Sequence, residues 1–188
     1  MDIPEFEDNL SNQASKALAN QQGNTNPLPV IYGERRVGGT PVFYEVTGDE
    51  NEFLHMVVAI CEGEIEEIET VFFNEEAIEG QYYPSIDSSV LTFGQSTLYT
   101  GVLPKYKPFV VMHKLTGKEN QTPPALLTES TSWTNSDKLN GVAYVYLRLK
   151  FDPDVFGSTG IPQINFKIKG KKVPLALINY NFNHFTTN

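Results

Sequence analysis

Three histidines, one cysteine and a run of carboxylates are the side chains of this sequence best suited to chemistry. His55, His113 and His184 stand far apart, and no cysteine or second histidine lies at metal-ligand spacing from any of them. His55 and His113 fall inside segments that read as strands, where a histidine facing a polar neighbour is the simpler account. The carboxylates gather in "CEGEIEEIE" as Glu62, Glu64, Glu66, Glu67 and Glu69. Such a group could supply a general acid and base, or oxygen ligands for Ca²⁺. A Ca²⁺ loop needs donors at regular offsets, which this run lacks. A solvated acidic rim at the tip of a hairpin is therefore expected.

Two further stretches invite a chemical reading. "FDPDVFGSTG" carries Asp152, Asp154, Ser158 and Thr159, and "GKK" closes at Lys171 and Lys172. Asp-Pro pairs favour turns, because the Asp side chain bonds its own backbone and proline fixes φ, so no ligand is needed to explain them. "GKK" lacks the glycine-rich approach and the Lys-Ser/Thr pair of a phosphate cradle. No Gly-x-Ser-x-Gly elbow occurs, and Cys61 has no histidine in a nucleophile setting. Cys61, inside the apolar run "MVVAICEG", reads as a small buried hydrophobe. Catalytic, cofactor-binding and metal-binding positions are thus each assigned to no residue, and the chain is expected not to be an enzyme.

The elements around these residues are mostly strands. Leu54 to Cys61 reads as a buried strand, Glu62-Gly63 as a turn, and Ile65 to Phe73 as the returning strand of a β-hairpin. "VIYG" and "PVFYEV" read as short strands, with Gly33, Gly38 and Gly39 turning the chain between them. "GVAYVYLRLKFD" alternates Ala143, Val145, Leu147, Leu149 and Phe151 against Val142, Tyr144, Tyr146, Arg148 and Lys150, giving one apolar and one mixed face. "PQINFKIKG" alternates as well, and "PFVVMHKLTG" reads as another strand. "DPDVFGSTGIP" is the expected connection between two antiparallel strands.

The organisation that follows is an arm over residues 1–26, a β-rich domain over 27–173 with 80–140 as a possible long-looped insertion, and a tail over 174–188. The arm is polar and could form a short helix over Glu7 to Ala19, or stay extended until a partner orders it.

Bulk properties narrow the function classes. The chain has 188 residues, 12% of them aromatic, enough for one domain with a real core. Its 14 basic against 23 acidic residues leave a net charge of -9, opposite to the basic face of a nucleic-acid binder. One cysteine excludes an intrachain disulfide. No apolar run is long enough to span a bilayer, and the acidic start "MDIPEFEDNL" is unlike a secretory signal, so synthesis in the cytoplasm is expected.

Three collinear blocks carry a resemblance: "NPLPVIYGERRVGG", "MVVAICEGEIEEIETVFFNEEAI" and "LNGVAYVYLRLKFDPDVFGSTGIPQINFKIKGKKV". Together, over about residues 24–173, they resemble the N-terminal region of the central tail hub, or host-specificity protein J, family of long-tailed bacteriophages. The resemblance implies a mainly β, antiparallel barrel or sandwich like that of a tail tube. It implies a structural subunit of the virion tail tip or baseplate, most simply a homotrimer, made in the host bacterial cytoplasm. Its implied partners are the distal tail protein, the tape measure protein and other tail tip proteins. Phage DNA would pass through transiently without specific binding, and no part would insert into a membrane.

Part of the acidity at Glu62 to Glu76, or at Asp49 to Glu52, could then face the lumen, with an outer surface as the alternative. Beyond Val173 the resemblance stops, so the family's role in choosing a host is not carried over. The competing reading is a receptor- or glycan-binding tip module, with Tyr82, Tyr83, Tyr99, Tyr106 and Trp133 as stacking platforms. Against it, such aromatics equally cap a core or an interface.

Overall fold

The computed structural model describes residues 27–79, 102–103, 105–130, 132–150, 152–156 and 161–172. Eight strands are present there: β1 Glu34–Gly38, β2 Thr40–Thr47, β3 Phe53–Glu62, β4 Glu67–Phe73, β5 Glu76–Ala77, β6 Val110–Thr116, β7 Val142–Lys150 and β8 Ile164–Lys169. They form two four-stranded antiparallel sheets, in the orders β1-β8-β4-β5 and β2-β3-β7-β6. The expected mainly β, sandwich-like fold is therefore what the chain adopts. The rest of the expected arm and tail lies outside the described residues.

The sheets pack face to face. Met56 and Val58 from β3, Val145, Leu147 and Leu149 from β7, and Met112 from β6 meet Ile68 and Val71 from β4 and Phe166 and Ile168 from β8. Alternation by two puts these residues on the inner faces. The outer face of the β2-β3-β7-β6 sheet is covered as well. The connection from β6 to β7 lays Leu126, Leu127, Trp133 and Leu139 over Phe43, Val57, Leu115, Tyr144 and Tyr146. The mixed face of β7 is thus covered as well, since Tyr144 and Tyr146 are as buried as Val145 and Leu147.

Three connections differ from the sequence reading for one reason. The segment around Gly63 does not close a hairpin, because β3 and β4 belong to different sheets. Gly63 N–H donates to the Gly141 carbonyl at 2.5 Å, and Ile65 N–H to that of Thr116 at 2.9 Å, as the chain crosses between the layers. Likewise "DPDVFGSTGIP" joins β7 to β8 across the sandwich rather than between paired neighbours. The third change is in "VIYGERRVGG". The strand is Glu34–Gly38, where a turn was expected, while Tyr32 forms only an isolated bridge to Lys171. β1 is an edge strand whose Glu34, Arg35 and Arg36 are all exposed, Arg35 even though it stands opposite the buried Ile168, so its sequence shows no apolar alternation. A buried residue in each strand reports burial, and burial does not distinguish lateral pairing from facing across a core.

β1 and β2 are one strand bent at Gly39, which carries the chain from one sheet to the other. A Cβ there would collide with Val58, would lie 2.8 Å from Phe166 Cε2 and 2.9 Å from the Ala59 carbonyl. Only glycine fits a corner packed that tightly. The short turn Asn74-Glu75 closes the β4–β5 hairpin with both residues at positive φ, 47° and 75°, matching the twist of its strands.

Candidate functional site

His55 lies in β3 with no exposure. Its Nε2 is 2.7 Å from Thr47 Oγ1 and its Nδ1 2.8 Å from Tyr146 Oη, so both ring nitrogens are engaged. His113, one strand further on in β6, packs its ring 5.8 Å from that of Tyr146. Burial pulls the His113 pKa down to about 4, which keeps the imidazole neutral. The structure thus brings His55 and His113 to the same face, on either side of Tyr146, which the spacing of the sequence did not show. His184 lies outside the described residues. Among the described residues no three His, Cys, Asp or Glu side chains group as a metal site.

The acidic run is not a bare rim. On the outer face of the β1-β8-β4 sheet, Lys169 binds Glu67 at 2.9 Å and Glu69 at 3.1 Å, and Lys167 binds Glu34 at 2.6 Å and Glu69 at 3.1 Å. Lys172 reaches Glu66 at 3.3 Å. Hydrogen bonds from Lys167 and Lys169 hold the Glu69 carboxyl below the usual range. The basic residues of "FKIKGKK" thus balance the glutamates of "EIEEIE" across the β4–β8 pairing. Three further acids pair too: Glu75 with Arg36 at 2.7 Å, Glu76 with Lys105 at 2.9 Å, and Glu52 with Lys150 at 3.0 Å.

The turn residues behave as turn residues. Asp152 Oδ1 accepts the Asp154 N–H at 2.9 Å, and the Asp152 carbonyl accepts from Val155 and Phe156, making the helical turn Pro153–Phe156. Ser158 and Thr159 lie outside the described residues. In "GKK", Gly170 N–H donates to Gly33 and Lys171 N–H to Ile31, so these amides are not turned toward an anion. Cys61 is buried, and burial pushes its thiol pKa up, which leaves it inert.

Of the candidate sugar-stacking aromatics, Tyr106 is core: it packs edge-on against Phe73 at 5.7 Å and donates its hydroxyl to Glu76 at 2.7 Å. Trp133, in the β6–β7 connection, packs edge-on against Phe43 at 5.0 Å. Tyr82, Tyr83 and Tyr99 lie outside the described residues.

Two buried polar groups escaped the sequence reading. Gln121 staples the β6–β7 connection: its Oε1 accepts from Gly117, and its Nε2 donates to the carbonyls of Leu139 at 2.6 Å and Val142 at 2.9 Å. Lys114 and Glu79 form an ion pair at 2.5 Å, with side chains only 2% and 9% exposed. Burial pulls the Lys114 pKa down against the pull of Glu79. The one available signal was parity: Lys114 follows Val110 and Met112 on the inner face of its strand.

What remains exposed is a strand edge. β2 is paired only with β3, and β1 only with β8. The large apolar side chains most open to solvent are Val30 at 48%, Tyr32 at 57% and Val42 at 44%, all on or beside this bent edge. Val42 stands at a bulge between Pro41 and Phe43.

No protein-family model matches the chain, and no curated protein matches it. Among solved structures, it is similar to a chain of the virion of a native gene transfer agent particle, with 20% identity and a TM-score of 0.47. That similarity covers 81% of this chain and 29% of the other, so this chain spans less than a third of its neighbour's length.

Proposed function

We propose that this chain is a structural hub subunit of a bacteriophage tail tip, closing the distal end of the tail tube. The observation that carries this reading is the placement of the three blocks that resemble the tail hub family. They supply β1, β3, β4, β5, β7 and β8 and so fold together into one two-sheet unit. The unit is residues 27–173, with residues 1–26 as an arm and 174–188 as a tail. Its work is assembly rather than catalysis. The bent β1–β2 edge, with Val30, Tyr32 and Val42, is the surface a neighbouring subunit would cover. In this reading the chain forms a homotrimeric ring, meets the distal tail and tape measure proteins, and resides in the virion. The packing of Tyr106 and Trp133 inside the fold favours this over a glycan-binding module.

The test is the mass of the purified chain by light scattering, alone and mixed with distal tail and tape measure proteins. A trimer, or a complex holding three copies, is the expected result. A monomer at high concentration that joins no assembly with either protein would overturn the proposal.

A further inference from the structure

The two sheets meet along two sides, and the sides are built differently. At the β1–β2 corner the chain itself passes between the sheets through Gly39. Along the opposite side, β4 and β6 run near each other without forming a ladder. Ile65 N–H donates to the Thr116 carbonyl at 2.9 Å beside the Gly63 crossing. Further along, side chains take the place of a strand. Lys114 Nζ crosses from β6 to the Glu69 carbonyl at 3.0 Å and to the Glu79 carboxylate, while Glu79, just after β5 in β4's own hairpin, accepts the Val71 N–H at 2.8 Å, a bond it gives up when its carboxylate turns to water. Glu69 occupies the β4 bulge that turns its carbonyl toward this seam.

Such a closure has a particular energetic character. Burying two charges costs several kcal/mol each, and their attraction offsets this only in part. Opening a seam of apolar side chains forfeits burial with no return. Opening this one rehydrates an ammonium and a carboxylate and so recovers their desolvation cost.

We infer that the Lys114–Glu79 seam is a built-in opening point, at which β4 and β6 part while the β3–β7 ladder stays closed. The crossing at Gly63 tethers one end of the seam, so the parting is at Glu69–Val71. It uncovers the inner face at Ile68, Val71 and Met112. The device resides in the fold and does not depend on the tail-hub reading.

Native-state hydrogen exchange on the full chain tests it. The Val71 amide is expected to exchange through an opening that is at least about tenfold more populated than the one releasing the β3 and β7 amides, and with a smaller denaturant dependence than theirs, because less surface is exposed. Glu79→Gln keeps the acceptor for Val71 but leaves the ammonium without its carboxylate, and should open the seam further. Combining it with Lys114→Met removes both charges and should slow Val71 exchange below that of Glu79→Gln. If Val71 exchanges only together with the β3 and β7 amides in the unsubstituted chain, the inference is wrong. It is equally wrong if the double variant opens the seam more than the single one.

Discussion

Gly39 and Gly63 show how residues of one type act through different physics. Gly63 sits at φ 84°, a conformation other residues enter only with strain. Gly63→Ala should cost about 1 kcal/mol, because the only side chain a Cβ would meet is the flexible end of Lys171. Gly39 is not among the positive-φ glycines. Its Cβ would instead meet Val58, Phe166 and the Ala59 backbone. Gly39→Ala is an overpacking change and should cost about 1–3 kcal/mol. Urea unfolding midpoints check both, and equal small shifts would place the corner wrongly.

His113 makes a pH prediction. Its pKa falls from an ordinary 6.5 in the unfolded chain to about 4 in the fold. A base with a lowered folded pKa favours the fold when neutral. The full benefit is present above pH 6.5, and it is lost as pH falls toward 4. The loss is about 3 kcal/mol from this residue, at about 1.36 kcal/mol per unit. His113→Phe should flatten unfolding stability between those pH values, and an unchanged pH profile would count against it.

At the scale of elements, the β6–β7 connection is the informative case. As sequence it is a polar linker with one tryptophan. As structure it is a cover whose two ends are tied by a single amide, Gln121, and whose Leu127 is fully buried. Gln121→Ala removes the acceptor for Gly117 and the donor to Leu139 and Val142. A loss of about 1–3 kcal/mol follows from leaving such groups unpartnered. Trp133 fluorescence should shift to the red as the cover loosens over Phe43. A midpoint loss with no spectral change would mean that Gln121 supports β7 rather than the cover. The strands themselves were legible where both periods and apolar content agreed, as in β3, β7 and β8. β1 was not legible, because an edge strand with Glu34, Arg35 and Arg36 all exposed shows no apolar alternation.

For the whole molecule, charge placement decides the relation to DNA. In the proposed hub, the net charge of -9 would suit a wall that lets DNA pass. Yet Glu66, Glu67 and Glu69 are balanced by Lys172, Lys169 and Lys167, so this face is not a strong source of repulsion. Surface pairs of this kind are each worth about 0–1 kcal/mol. Changing Glu64, Glu66 and Glu67 together to Lys frees those lysines and makes the face basic. That variant should retard duplex DNA in a gel at low salt and release it as salt rises, while the unsubstituted chain should not bind at all. Binding by the unsubstituted chain would contradict the expected transient passage.

The sequence by itself determined the material of this protein: β-branched and aromatic alternation for strands, and glycine and proline for turns. These are local properties, fixed by period and spacing. Only the tertiary structure decided which strands are neighbours. It sent the Gly63 turn across the sandwich instead of closing a hairpin, and covered the second face of β7. It also joined Lys114 to Glu79 and His55 to Tyr146, from 35 and 91 residues apart. Each of those outcomes depends on what lies beside or above a residue in space, and a strand's alternation reports only that one of its faces is buried, not by what.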